Sequence, residues 1–546
     1  MRLLFGHLLL LAFLSCTQAQ TPIYDSGGPL LPEQAAFDVG YYQLYLEVFP
    51  EQKRIDGNLS MTATALEPLS QIVLHLDTLL QVSAVKQAVE GKHQPIAWQR
   101  QGGLIYASLP AVLAKGESFS VRVEYAGYPL AVDGMERGTW ADGFFWEQTE
   151  SGAPWVGNVS VLNGADIWWP CKDHPSDEAD SMAISITAPQ GLTVAMNGQF
   201  RGKKKVSGTQ EEHRWFLSTP VNNYAVSLNI APYQTIDTVF VSEYGYEFPF
   251  TFWVLPEHYE KAQKQFPHLV REMAFLESYL GPYPFRKDKY GIAETYYLGM
   301  ETQSIIAYGS NFELNDYGFD GLHYHELVHE WFANLVTAKD WKDWWIHESF
   351  ATYMEAIYAE YLNGEEKYHE YVSRFKTGAA NEFPIARRGA TSARTGYTGD
   401  VYVKGAAMLH TLRYLIGKEK LAQAIRRLAY PDPEMEQVND GSHCRLASTA
   451  EFQRIFEEVS GQNLSWFFDA YLYYASLPVL EVSPKGQTVF LSWETPSPAA
   501  FEMPVPVRLG EETIIVKCRN GLGQFTTDGQ EYEIDPQGWL LAEIRD

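Results

Sequence analysis

The chain has 546 residues, of which 46% are hydrophobic and 20% charged, and its formal net charge is −26. That length exceeds a single hydrophobic core, and the composition is that of a folded globular protein. The acidic balance excludes a nucleic-acid binder, which needs a basic face, and instead favours cationic partners such as a free peptide N-terminus.

The chain opens MRLLFGHLLLLAFLSCTQAQTP, with one cation, an apolar run from Leu3 to Leu14, then small and polar residues. This is the pattern of an export signal, and it is too short to span a membrane. Two processing routes fit. Cleavage after Ala19 leaves Gln20 first, and lipid attachment at Cys16 follows a loose lipoprotein box. The expected product is periplasmic or secreted, lipid-anchored in the second case. No later run approaches about 18 apolar residues, so no transmembrane segment is expected.

From Phe37 to about Asn229 the pattern is that of strands. Tyr42, Leu44, Leu46 and Val48 alternate with polar neighbours, as do Ile55, Leu59, Met61 and Ala63. Period-2 alternation between turn residues predicts an antiparallel β domain over residues 22–233. The one basic run, RGKKKV (Arg201–Val206), reads as a solvated hairpin turn. A mostly helical domain is expected over residues 234–476. Its first helix is interrupted near Pro267, and a second runs from Gly321 to Thr337. A third carries Ile346, Phe350, Tyr353, Ile357 and Tyr361, and ends at Asn363-Gly364. Short strands return over residues 477–546 as a small β-sandwich. The fold class is multidomain α+β, with residues 1–19 as the signal. Cys171, Cys444 and Cys518 remain after Cys16, with no CxxC pair, so a thiolate metal site is excluded and at most one disulfide can form.

The stretch HYHELVHEWF, residues 323–332, holds three histidines and two glutamates. Residues four apart share a helix face, so His325 and His329 present two imidazoles to one point. Glu326 is rotated about 100° from His325, where it reaches a water beside the metal but not the metal itself. Zinc needs a third protein ligand. Glu348, on the following helix and joined by a short turn, supplies it. One Zn2+ per chain is expected. His323 and His347 point elsewhere, with a supporting place in the pocket open to His347. Glu330 either bonds a ligand histidine or is solvated.

HExxH followed by 18 residues and Glu resembles the zinc aminopeptidases related to aminopeptidase N and leukotriene hydrolase. LGMET (Leu298–Thr302) resembles that family's Gly-Ala-Met-Glu-Asn exopeptidase motif. VYVKGAAML (Val401–Leu409) resembles the stretch with its catalytic tyrosine, and WWPCKDHP (Trp168–Pro175) a signature of its β domain. The resemblance implies an N-terminal β saddle, a thermolysin-like catalytic domain and a C-terminal β-sandwich, in a short form without the family's large helical C-terminal domain. It implies peptide substrates with a free N-terminus. Glu326 would be the general base, Tyr402 the oxyanion donor, and Glu301, with Gly299 and Met300, the amine-binding site. Lys404, Cys171 and Asp173 are expected to be structural. The sequence departs from the family at Gly299, Thr302, His347 and Ser349, which bears on side-chain specificity. Three rival functions stay open: a thermolysin-type endopeptidase, a hydrolase of a non-peptide substrate such as an epoxide, and an inactive binding scaffold.

Overall fold

The computed structural model describes residues 25–546. The expected signal, with Cys16, Ala19 and Gln20, lies outside the described residues.

Alternation builds the first unit. In the strand Phe37–Phe49, Tyr42, Leu44, Leu46 and Val48 are buried while Gln43, Tyr45 and Glu47 reach solvent. This strand lies mid-way across an eight-stranded sheet and pairs antiparallel with Arg54–Ala65. Its other neighbour, Ser181–Pro189, runs parallel to it, so the sheet is mixed rather than wholly antiparallel. Residues 50–180 intervene, ample for the crossover that parallel pairing requires. RGKKKV is not a turn either. Residues 201–205 belong to the edge strand Gln199–Lys205, where Lys203 and Lys204 pair with Glu211 and Glu212 of the adjacent strand. Lysines on an edge discourage pairing with other chains.

WWPCKDHP packs into the core. Trp168 and Trp169 are fully buried, the Cys171 backbone bridges to His75, and Asp173 accepts from the Ala165 amide at 3.2 Å. Cys171, Cys444 and Cys518 are free thiols.

The second unit opens on a five-stranded sheet that ends in the short edge strand Gly299–Met300. Helix α1 (Tyr259–Leu280) is not interrupted at Pro267. Pro267 is exposed, so the carbonyl that loses its amide partner faces water, while Phe266, Leu269 and Met273 hold the opposite face in the core. Helix α2 (Gly321–Val328) is shorter than expected. Phe332 and Ala333 leave helical angles, and Val336–Ala338 becomes a strand parallel to Arg445–Ala447. Trp331, Phe332 and Leu335 are buried all the same, and this burial produced the helix-like apolar pattern. The link to helix α3 (Trp345–Asn363) is therefore a strand and a 3-10 turn, not a short turn. Helix α3 stops at Gly364, whose φ of 89° suits glycine. Helices α4 (Glu365–Gly378) and α5 (Val403–Ile416) pack beside it.

A four-stranded and a three-stranded sheet from Val479 to Arg545 form the last unit. The core of the β unit continues into Met300, Trp341 and Trp344. The cleft described next lies where the first two units meet. Among the described residues no helix is long and apolar enough to cross a membrane.

Candidate metal centre and active site

Helix α2 starts at Asp320, whose side chain caps the His323 amide at 2.9 Å. Four residues apart on this helix, His325 and His329 face one point, and Glu348 meets them from the first turn of α3. Glu348 Oε2 lies 3.4 Å from each Nε2. Those separations match the edge of a tetrahedron with metal–ligand bonds of about 2.0–2.1 Å. Each histidine is oriented from behind. His325 Nδ1 donates to Glu355 Oε1 at 2.8 Å, and His329 Nδ1 donates to the Phe332 carbonyl at 2.9 Å. Both Nε2 lone pairs are thereby left for a cation.

The electrostatics agree. Glu348 Oε2 is buried and accepts no hydrogen bond. Burial alone would raise the Glu348 carboxyl, but the His329 and His325 imidazoles hold it far below the usual range. Burial would also discharge His325, yet the Glu348 and Glu355 carboxylates raise it well above an ordinary imidazole. The carboxylates that raise both imidazoles make this point of the cavity one that favours positive charge, as a metal site does. The donor set, two nitrogens and one carboxylate with room for a fourth ligand, fits zinc.

Glu326 stands beside this cluster. Burial pushes its carboxyl up to about 8, against the pull of His325 and His329. A methyl group at Gly299 would meet Glu326 Oε1 at 2.3 Å, so glycine at this position leaves the carboxylate its place. Glu301, Glu326 and His329 also bring ligand atoms within 4.8 Å of one another. Glu301 is 5% exposed, and its Oε1 has no hydrogen-bond partner among the described residues. Tyr402 precedes α5, its ring parallel to that of His325 with centroids 6.1 Å apart. Burial, then the Glu348 charge, push its hydroxyl pKa far up, so it stays a proton donor. All eight expected site residues line one cavity of about 280 Å3: Gly299, Met300, Glu301, His325, Glu326, His329, Glu348 and Tyr402.

The neighbours sort themselves by partner. His323 is buried on the far side of α2 against Glu272 and Tyr290. His347 accepts from the Ala338 amide at 2.8 Å, tying the Val336–Ala338 strand to α3, and does not line the cavity. Glu330 neither bonds a ligand histidine nor meets solvent. It is fully buried and accepts from the Ser304 amide at 2.8 Å and the Tyr283 hydroxyl at 3.3 Å. Lys404 donates to the carbonyls of Tyr474 and Ala475.

Glu355 is the residue the sequence reading missed. It lies two helical turns after Glu348 on the same face, a spacing visible in the sequence. Its other oxygen accepts from Tyr371 of α4 at 2.7 Å. Replacing such a carboxylate weakens metal affinity by about 10–100-fold. Glu355→Ala is expected to do so in a chelator competition. Unchanged affinity would show that His325 is held without it.

Two family models match the chain, "Peptidase M1 N-terminal domain" over residues 39–224 and "Peptidase family M1 domain" over residues 265–471. Aminopeptidase N of Haemonchus contortus is 24% identical over 422 residues, which is 71% of this chain and 42% of the relative. Glutamyl aminopeptidase of Sus scrofa is 23% identical over 548 residues, 92% of this chain and 55% of the relative. The chain thus spans about half the length of the curated relatives it matches. The crystal structure of an M1 zinc metallopeptidase from Deinococcus radiodurans aligns at 25% identity with a TM-score of 0.65, covering 84% of this chain and 98% of that one. The two matched regions stand in chain order, the second contains the cluster of zinc-binding geometry, and the chain belongs to peptidase family M1.

Proposed function

We propose that the chain is a zinc aminopeptidase that removes the first residue from peptides with a free N-terminus. Glu301 carries this reading. It is a buried carboxylate in the same cavity as the metal ligands, with one oxygen left unpaired by the protein. A peptide's α-ammonium satisfies it with a charge-assisted hydrogen bond, and that contact limits cleavage to the first bond.

His325, His329 and Glu348 would hold the ion, which when bound acidifies water and polarises a carbonyl oxygen. Glu326 takes the proton of the attacking water and passes it to the leaving amine. The Tyr402 hydroxyl donates to the oxyanion as charge develops there. Gly299–Met300 is the last strand of its sheet, so its outer backbone edge is suited to pair with an extended peptide.

The test is a pair of peptides, one free and one acetylated. The free peptide is expected to be trimmed one residue at a time while its acetylated twin survives. Glu301→Ala narrows the difference, chiefly by harming the free peptide. Equal cleavage of both, or first products longer than one residue, would make the chain an endopeptidase.

Export belongs to the same reading and rests on residues 1–20 alone. Mass spectrometry of the native protein should find Gln20 first, or a lipidated Cys16. An intact Met1 on the active protein would sink both routes.

A further inference from the structure

We propose that the chain prefers peptides whose first residue is large and apolar, aromatic above all, and that Trp140 sets this preference. The inference rests on the aminopeptidase reading. The cavity beside Glu301 is small for a ligand site, which leaves room for little beyond one or two side chains. Its charged lining is already committed. His325, His329 and Glu348 face the metal, Glu326 the proton in transit, and Glu301 the ammonium. What remains is Gly299 and a set of apolar and aromatic side chains, with Trp140, Leu322, Trp344 and Tyr397 among them and Tyr402 at the metal end. None of these carries a charge, so none offers an ion pair to a charged side chain. A basic or acidic first residue would therefore bring a charge into the cleft without a counter-charge, which costs more than ring faces return to a cation.

The aromatic members form a continuous row. Tyr402 lies along His325, and Tyr397 meets Tyr402 edge-on with centroids 6.0 Å apart. Tyr397 packs on Trp344 at 5.3 Å and stacks on Trp140 at 5.7 Å, with 15° between the last two planes. The row leads from a metal ligand to Trp140, which is only partly buried and so keeps apolar surface to offer. Trp140 comes from the β unit, and its loop is pinned on both sides. The Gly138 amide donates to the Tyr296 carbonyl at 2.8 Å, and the Leu298 amide donates to the Thr139 carbonyl at 3.0 Å. Beyond Trp140, the Asp142 carboxylate accepts from the Leu162 and Asn163 amides at 3.0 and 2.7 Å. Arg137 pairs with the buried Glu294 at 2.6 Å. A wall held this firmly loses little freedom when a ligand packs on it. Flat rings also favour an aromatic partner, in stacked or edge-on contact.

The experiment is a panel of fluorogenic aminoacyl amides (Phe, Leu, Ala, Arg, Glu) with the zinc-loaded wild type, Trp140→Ala and Trp140→Phe. The wild type should use the Phe amide on the order of 100-fold better than the Ala amide in kcat/KM, with Arg and Glu poorer still. Trp140→Ala should cut the Phe-to-Ala ratio by about tenfold or more, chiefly through KM, and Trp140→Phe should keep most of it. Bound zinc and a thermal melt report whether each variant folds. Should Trp140→Ala not fold, Tyr397→Leu removes the same stack from the other side and the same ratio is read. Efficient use of Arg or Glu amides by the wild type, or an unchanged ratio in a folded variant, overturns the proposal alone. Cleavage of acetylated peptides with no turnover of any free amide overturns the aminopeptidase reading, and this proposal with it.

Discussion

Glu326→Gln is expected to keep one zinc ion per chain and to lose turnover by roughly 10²–10⁴, the usual cost of a missing general base. Glutamine has the shape of the residue it replaces, and so it fits the space that Gly299 leaves for the native side chain. What it lacks is a site for the proton. Glu326 is also outside the His325–His329–Glu348 set, so the metal should stay. Zinc loss in this variant would make Glu326 a ligand. Tyr402→Phe separates a second role from the first. It deletes one hydroxyl and leaves the ring against His325. The expected loss is about 2.7–4 kcal/mol of transition-state stabilisation, felt in kcat more than KM. A loss confined to KM would make Tyr402 a pocket wall.

The core of the site was legible because it is local. The i, i+4 spacing of His325 and His329 depends only on helix geometry, whereas Glu348 reaches them across a strand and a 3-10 turn rather than the expected short turn, and was legible as a spacing and not as a path. The surrounding detail was not legible, because it depends on tertiary partners. Phe332 and Ala333 end the helical run after α2, yet both are buried, so their apolar pattern continues that of the helix. Glu330 left two readings open, a bond to a ligand histidine or a solvated carboxylate, and it takes neither. Its partners, Ser304 and Tyr283, lie 26 and 47 residues away in the chain. The departures from the family motif also acquire reasons. Ser349 Oγ donates to the Val401 carbonyl at 2.6 Å and so braces the turn that carries Tyr402. A Cβ at Gly405 would meet that same Oγ at 1.8 Å, which explains the glycine in YVKG. His347 closes the strand after α2, and the Thr302 hydroxyl donates to the Ile305 carbonyl in its own turn. These changes fit packing inside this chain. The parallel pairing of Phe37–Phe49 with Ser181–Pro189 was hidden for a related reason, since alternation gives the face of a strand but not the direction of its neighbour.

His329→Ala and His325→Ala are expected to release the zinc and abolish activity together. Either change removes one of only three protein ligands. The two variants are not redundant. His329 belongs also to the second grouping, with Glu301 and Glu326, whereas His325 belongs only to the first. If the ion sat in the second grouping, His325→Ala would keep it and Glu301→Ala would lose it. The structure favours the first. Glu355 and the Phe332 carbonyl fix both imidazoles with Nε2 forward, and Glu348 alone lies 3.4 Å from each. A set with two imidazoles also suits zinc better than one dominated by carboxylates. Thermal melts add a readout that does not depend on turnover. A ligand held at about 1,000 times its Kd stabilises the folded state by about 4 kcal/mol, so a chelator should lower the wild-type Tm by several degrees. In His325→Ala and His329→Ala the melt should no longer respond to chelator or to added zinc. Stoichiometric zinc in His325→Ala, with the chelator response intact, would move the ion to Glu301, Glu326 and His329 and remove Glu301 from amine binding.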